Sequence, residues 1–303
     1  MEELKDTQKK QHRSGFVNII GNPNVGKSTL MNALVGEKLS IVTAKAQTTR
    51  HRIMGIVNGE DYQIVYSDTP GILKPSYRLQ ESMMDFVEVA IGDADIILYV
   101  TDVVEKKDKN IEYVQALNRL ECPVIIVLNK IDIGKQDEVL KLMDEWKELV
   151  PKAEIVPVSA LEKFNLDNLF DRIVELLPVS PAWYDKDQFT DKSMRFFASE
   201  IIREKILKNY SKEIPYCTEV VIESFKEGGE RYDISAVINV MRESQKGIII
   251  GHQGSALKKV ATEARKDMES FFEKKVFLQT FVKVEPNWRE DSRKLKKFGY
   301  ILD

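Results

Sequence analysis

Gly21-Asn22-Pro23-Asn24-Val25-Gly26-Lys27-Ser28 matches G-x-x-x-x-G-K-[ST] in full, between a strand-like run and a helical one, the context that pattern requires. The residue types dictate the chemistry. Gly21 and Gly26 let the backbone wrap closely, so that successive N–H groups and a helix N-terminus face an anion. Lys27 would neutralise the β- and γ-phosphates of a nucleotide, and the Ser28 hydroxyl would coordinate Mg²⁺. In Asp68-Thr69-Pro70-Gly71, Asp68 is placed to hold Mg²⁺ through water and the Gly71 amide to meet the γ-phosphate. Thr48-Thr49-Arg50 lies in a polar loop, and one of its threonines is the expected second hydroxyl ligand to Mg²⁺. Asn129-Lys130-Ile131-Asp132 ends a strand, where open α/β sheets place ligands. The Asp132 carboxylate can accept from both the ring N–H and the exocyclic amine of guanine; adenine has no such donor pair, which disfavours ATP. Val158-Ser159-Ala160 ends the next strand and would offer backbone groups to the base. The order of these elements makes a GTP site, with Lys27, Thr49 and Gly71 expected to serve catalysis. Ile72 follows Gly71 and cannot orient water by hydrogen bonding, so hydrolysis must lean on positioning and electrostatics. Arg50 and Arg52 are read as solvated loop arginines, with charge stabilisation as the lesser alternative.

These groups need a scaffold, and the pattern supplies one. Phe16–Ile20, Ile53–Val57, Gln63–Tyr66, Ile96–Val100, Val124–Leu128 and Ile155–Val158 read as strands, several apolar on both faces. Helical spacing fills the gaps, at Thr29–Val35, Leu79–Ile91, Asn110–Leu120, Asp137–Val150 and Leu166–Leu177. Strands alternating with helices imply an α/β domain, with a mostly parallel sheet covered on both faces. Pro178 and Pro181 break the rhythm. The expected organisation is a flexible extension over 1–14, a nucleotide-binding domain over 15–178, a linker over 179–192 and a second domain over 193–303.

The second domain differs in pattern and in charge. Residues 1–192 carry a net charge of −7 and residues 193–303 one of +4, a weak pointer to a polyanion partner for the latter. An amphipathic helix is expected over Ser193–Tyr210, then strands Thr218–Phe225 and Tyr232–Met241 around a Gly-Gly hairpin signal. Gly251-His252-Gln253-Gly254 precedes a helix to about Phe272, a strand Val276–Val284 and a short basic helix near Asp291–Lys297. Helix, strand, strand, helix, GxxG, helix, strand is the α+β type II KH arrangement, whose GxxG loop clamps about four nucleotides of single-stranded RNA. Lys246, Lys258, Lys259 and Arg265 would add phosphate contacts. Ile248, Ile249 and Ile250 form either apolar surface beside the bases or core.

With 43% hydrophobic and 31% charged residues among 303, the chain can bury real cores, which excludes disorder as its main theme. No apolar run of about 18 residues occurs and the first residues are polar, so a cytoplasmic protein is expected. Two cysteines and three histidines, without ligand spacing, suggest neither a disulfide framework nor a zinc site.

Over residues 15–177 the motifs resemble the translation-factor class of P-loop GTPases, which would make Gly21 to Ser28, Asp68 to Ile72, Asn129, Lys130, Asp132, Ser159 and Ala160 the GTP contacts. Ras-like members carry a water-orienting glutamine where Ile72 stands. In related GTPases an asparagine at the position of Asn24 coordinates an activating K⁺; a loop-capping role for it weighs equally. Across residues 15–303 the chain resembles the Era family, bacterial GTPases of small-subunit ribosome assembly. Gln47-Thr48-Thr49-Arg50-His51-Arg52, Asp68 to Ile72, Asn287-Trp288-Arg289 and Phe298-Gly299-Tyr300 carry the likeness. It implies a GTP/GDP switch that binds the 3′ end of 16S rRNA through Lys246, Ile250, Gly251 to Gly254, Lys258 and Lys259, in 30S biogenesis. It also implies peripheral contact with the cytoplasmic membrane, and a monomer is expected. Two departures stand out: His252 and Gln253 where the family usually has a lysine, and Leu73 in place of a histidine. The rival readings are a signalling GTPase whose C-terminal domain binds protein or membrane, and an RNA-binding module with little turnover.

Overall fold

The computed structural model describes residues 11–105 and 110–301, so most of the expected N-terminal extension lies outside the described residues. Two compact units interleave along the chain. The first comprises residues 1–37, 53–69 and 88–191; the second comprises 38–52, 70–87 and 192–303. Segments 38–52 and 70–87, expected with the nucleotide-binding domain, thus pack with the C-terminal residues.

In the first unit the order is β1 (Arg13–Gly21), α1 (Lys27–Val35), β2 (Ile53–Asn58), β3 (Tyr62–Asp68), α2 (Arg78–Gly92, whose first ten residues belong to the second unit), β4 (Ile96–Asp102), α3 (Ile111–Leu117), β5 (Val124–Asn129), α4 (Gln136–Leu149), β6 (Glu154–Pro157) and α5 (Leu166–Leu176). The sheet runs β2-β3-β1-β4-β5-β6. Only β2 is antiparallel, pairing with β3. Every residue of β4 and β5 is buried, as apolar runs covered by helices on both faces demand. The carboxyl ends of β1, β3, β5 and β6 therefore share one edge of the sheet, and they carry the nucleotide motifs.

Strand β1 begins at Arg13, two residues before the expected domain start. The expected linker is a strap on the same unit. Ile56 N–H donates to Phe189 O (2.9 Å), the Thr190 hydroxyl donates to Met54 O (2.7 Å), and Trp183 packs on Phe16 with ring centroids 5.6 Å apart. The two prolines mark the end of the βα alternation; the chain after them still has an open strand edge, β2, to satisfy.

The second unit contains α6 (Met194–Asn209), α7 (Ile214–Cys217), β7 (Glu219–Glu227), β8 (Arg231–Val240), α8 (Glu243–Ile250), α9 (Ser255–Phe271), β9 (Lys275–Val284) and α10 (Ser292–Lys297). Its sheet runs β7-β8-β9, with β7 antiparallel and β9 parallel to β8. Ile202, Ile206, Ile234, Ile238, Val260 and Met268 are among the residues that join α6, α9 and one sheet face in a single core. Helix α6 departs from the amphipathic expectation: Glu200, Arg203, Glu204 and Lys205 are all buried. Segment 38–52 covers the polar side that would otherwise meet water. The charges survive there because they pair: Arg203 with Glu200 at 2.6 Å, and Glu204 with Lys38 and Lys208 at 3.1 Å each.

Candidate functional site: a nucleotide loop and a GxxG module

At the end of β1, Gly21 has φ 144°, and a Cβ there would stand 2.2 Å from Val100 O. Gly26 has φ 100°, and a Cβ on it would strike the Asn129 amide at 2.2 Å. Both positions exclude side chains, by backbone conformation as well as by contact. The loop delivers its amides to the N-terminus of α1, with Leu30 N–H closing the first helical bond on Gly26 O (2.9 Å). Lys27, nearly buried, donates to Gly21 O (3.0 Å) and Asn22 O (2.8 Å), holding its ammonium across the loop. Asn24 adopts φ 68°, a left-handed turn position that asparagine tolerates, which fits the loop-shaping role weighed for it.

Strand β3 brings Asp68 to the same edge, where its Oδ2 accepts from the Ser28 hydroxyl at 2.7 Å. A hydroxyl and a carboxylate converging in this way are hard oxygen donors suited to Mg²⁺, which is commonly held by one or two carboxylates together with substrate phosphates. Thr69 spends its hydroxyl on Ile19 O (2.8 Å), tying β3 to β1. Asn129 links the motifs: its amide donates to Val25 O (2.9 Å), and its Oδ1 accepts from Ala160 N–H (3.0 Å). The Asp132 carboxylate accepts from the Ser159 hydroxyl (2.6 Å), so the segments that follow β5 and β6 brace each other. Lys130 donates to Asn24 O (2.7 Å) and to Asp102 (2.6 Å). Asp102, at the end of β4, is thereby tied to the motif residues although no motif announces it.

The remaining expected contacts, Thr48, Thr49, Gly71 and Ile72, belong to the second unit. The Thr48 hydroxyl is engaged within its own loop, donating to Lys45 O (2.6 Å) and pairing with the Thr43 hydroxyl (2.7 Å). Thr49 and Ile72 are buried.

Segment 38–52 corrects one expectation. Arg50 is no solvated loop arginine. It is 0% exposed and donates to Thr218 O (2.8 Å), Pro215 O (2.9 Å) and Glu219 (3.2 Å), with its guanidinium 5.9 Å from the Trp288 ring centroid. Arg52 is likewise buried. His51 stacks on Tyr300 at 4.3 Å, and Tyr300 donates to Glu219 (2.6 Å). Arg203 donates to the carbonyls of Gln47 and Thr48. Segment 70–87 is tied similarly: Leu79 N–H donates to Arg289 O (3.0 Å), and the Arg289 guanidinium lies 4.3 Å from the Tyr77 ring centroid. The tail motifs Asn287-Trp288-Arg289 and Phe298-Gly299-Tyr300 are thus clamps on these two segments. Burial, then the cations Lys192, Arg203 and Arg50, hold the His51 pKa well below its ordinary range. Burial pushes the Glu219 carboxyl up, against the opposing pull of Arg50.

In the KH-like part, Gly251 and Gly254 have φ 71° and 77°, and a Cβ on Gly251 would collide with the Ala256 methyl at 2.6 Å. His252 and Gln253 are exposed in the short turn that precedes α9, with Lys258 and Lys259 exposed at the end of the first turn of that helix. Lys246 and Ile250 are half-buried; Ile249 is core, whereas Ile248 is 49% exposed. Arg265 pairs with Glu269 at 2.9 Å.

A glycine-framed loop ending in Lys27 and Ser28 on a mostly parallel sheet, followed by a GxxG module, defines a P-loop GTPase joined to a KH domain. Comparison with known proteins agrees. Residues 16–130 match the family of 50S ribosome-binding GTPases, and residues 213–289 match the KH domain. The chain is 45% identical over 291 residues to the GTPase Era of Syntrophus aciditrophicus, covering 95% of each protein. It is 44% identical to that of Clostridium kluyveri, over 95% of this chain and 99% of the relative. A crystal structure of Era in complex with MgGDPNP and nucleotides 1506–1542 of 16S ribosomal RNA superposes with a TM-score of 0.91 at 40% identity, covering 96% of this chain and 100% of that one. The chain belongs to the Era family of GTPases.

Proposed function

We propose that this GTPase is a Mg²⁺-dependent switch that binds the 3′ end of 16S rRNA through its KH domain and acts in 30S subunit biogenesis. The observation that carries the reading is the whole-chain likeness to an Era protein whose crystal structure holds MgGDPNP and 16S rRNA nucleotides 1506–1542. Gly21 to Ser28 would hold the phosphates, Asn129, Lys130, Asp132, Ser159 and Ala160 the base, and Ser28, Asp68 and a threonine of 48–49 the metal. Mg²⁺ would supply charge at the β- and γ-phosphates. Lys27 holds developing negative charge, the Gly71 amide meets the γ-phosphate, and Asn24 is the candidate K⁺ ligand. Water attacks the γ-phosphorus and the β–γ bridging oxygen leaves with GDP.

The Ile72 side chain is a hydrocarbon and carries no group that could orient water, so turnover is slow without a partner. The RNA contacts are Gly251 to Gly254, with Lys246, Ile250, Lys258 and Lys259 beside them. Segments 38–52 and 70–87 carry the proposed γ-phosphate contacts, and they pack on the KH-bearing unit, which supports coupling of nucleotide state to RNA binding. The test is GTP hydrolysis in potassium buffer, with and without a single-stranded RNA matching the 3′ end of 16S rRNA. Stimulation that a scrambled RNA does not give is expected. No stimulation, together with no RNA binding, would overturn the reading in favour of a GTPase with a protein-binding second domain. Peripheral contact with the cytoplasmic membrane stays part of the proposal; co-sedimentation with anionic vesicles tests it.

A further inference from the structure

The C-terminal sheet has two faces. One is packed by α6, α8 and α9, and receives Val276, Leu278, Val282 and Val284 from β9. Period-two alternation sends the intervening residues of β9 to the opposite face: Lys275, Phe277, Gln279, Phe281 and Lys283. Phe277 is 44% exposed and Phe281 54%. Register places Phe281 beside Val237 and Phe277 beside Asp233 on β8. The Arg231 guanidinium lies 5.2 Å from the Phe277 ring centroid, and it also neutralises Asp233 at 3.0 Å. Next to Phe281 the face dips into a cavity of about 280 Å³ with Val221 and Val237 among its apolar lining and Lys283, Arg293 and Lys297 among its cations. Glu285, also in that lining, is answered by Lys294 (2.6 Å) and Lys283 (3.3 Å).

Single exposed apolar residues need no explanation. Two rings four residues apart on one strand, bracketed by lysines two residues away on either side, form a pattern. Bases stack on aromatic side chains displayed by a sheet while cations track the phosphates. Protein-binding patches, by contrast, are depleted of lysine at their centres. We propose that this outward sheet face is a second RNA-contacting surface, distinct from the GxxG loop, on which unpaired bases stack against Phe277 and Phe281 while Lys275, Lys283 and Lys297 hold phosphates. It rests on the RNA-binding reading above and extends it from about four clamped nucleotides to a longer single strand.

The test uses the full chain with a non-hydrolysable GTP analogue and two single-stranded RNAs from the 3′ end of 16S rRNA, one of about four nucleotides and one on the order of sixteen. Replacing both phenylalanines (Phe277→Ala with Phe281→Ala) is expected to weaken the longer RNA about ten-fold or more, and to leave the shorter unchanged. The pair Phe277→Leu with Phe281→Leu keeps the apolar area without the ring faces and should behave like the alanine pair; Phe277→Tyr with Phe281→Tyr should restore binding. Lys275→Ala with Lys283→Ala should flatten the salt dependence for the longer RNA by about 0.7 per lysine in log–log slope. Equal affinities for the longer RNA in the unaltered and alanine forms would overturn the proposal. If binding to intact 30S subunits fell at the same time, the face would be assigned to a protein instead. Loss of the short RNA alone on changing His252 and Gln253 to Asp, with the longer RNA still sensitive to the phenylalanines, supports two surfaces. If the unaltered protein binds only the longer RNA, in a phenylalanine-dependent way, the sheet face stands and the KH reading fails. If it binds neither RNA, both are overturned.

Discussion

One carboxylate, Asp132, is the proposed determinant of which nucleotide this protein accepts. Asp132 is held by the Ser159 hydroxyl at 2.6 Å, so its orientation is set before any base arrives. Asp132→Asn keeps the shape but offers an amide donor where guanine also donates. Titration with fluorescent GDP should show a loss of about 3 kcal/mol, on the order of 100-fold, while XDP, with a carbonyl in place of the exocyclic amine, gains affinity. A second residue-scale prediction concerns His51. It is half-buried beside three cations and desolvated enough to stay neutral when folded, but it takes a proton on unfolding once the pH falls below its ordinary value near 6.5. Its contribution to stability is therefore intact above about pH 6.5 and is lost by about 1.4 kcal/mol per pH unit below it, down to the folded pKa. Glu219 has the opposite sign: its raised pKa lets the folded state gain a proton first, which adds stability as pH falls through that pKa. Urea denaturation of the wild type and His51→Gln at several pH values, both with Glu219 intact, isolates the histidine. Equal slopes below pH 6.5 would refute the assignment.

At the scale of elements, the junction of segment 38–52 with β7 rests on one buried cation. Arg50 compensates Glu219 and also takes the carbonyls of Thr218 and Pro215, with no part of it exposed. Arg50→Met would strand the Glu219 charge and is expected to cost about 3–5 kcal/mol in chemical denaturation. Adding Glu219→Gln should recover more than half of that, because the stranded charge dominates the loss. A double variant no more stable than Arg50→Met would place the loss in packing instead.

For the whole molecule, the interleaving of the units matters more than their boundary. Residues 38–52 and 70–87 pack in one unit with residues 192–303. A chain ending at residue 191 keeps β1 to β6 and the phosphate loop but loses the partners of these segments. Trypsin should then cut at Lys38, Lys45, Arg50 or Arg52 at rates at least ten times those in the full protein, while bound GDP is retained. Equal resistance in both forms would show that the segments are held without the C-terminal residues. Nucleotide-dependent RNA affinity should disappear on weakening these clamps through Arg289→Ala, which frees the Tyr77 ring and a hydrogen bond to Tyr216.

The phosphate loop and the alternation of strands and helices were legible in the sequence because each is local. A loop that must bring amides to phosphate needs glycine at fixed positions, and a strand buried on both faces must be apolar throughout. The GxxG module was legible for the same reason. The fate of Arg50, His51, Arg203, Trp288 and Tyr300 was not, since nothing near a charged or aromatic residue in the chain tells whether a distant segment will cover it. Helix α6 reads as half-polar and the strap over 179–192 reads as a linker until their partners, segment 38–52 and the open edge of β2, are in place. Local pattern alone was enough for the GTPase class and the two fold types. That the loops carrying Thr48, Thr49, Gly71 and Ile72 fall in the KH-bearing unit is visible only in three dimensions, because it depends on contacts across more than 150 positions of sequence: Arg50 pairs with Glu219 and meets Thr218 O, and Arg203 meets Thr48 O.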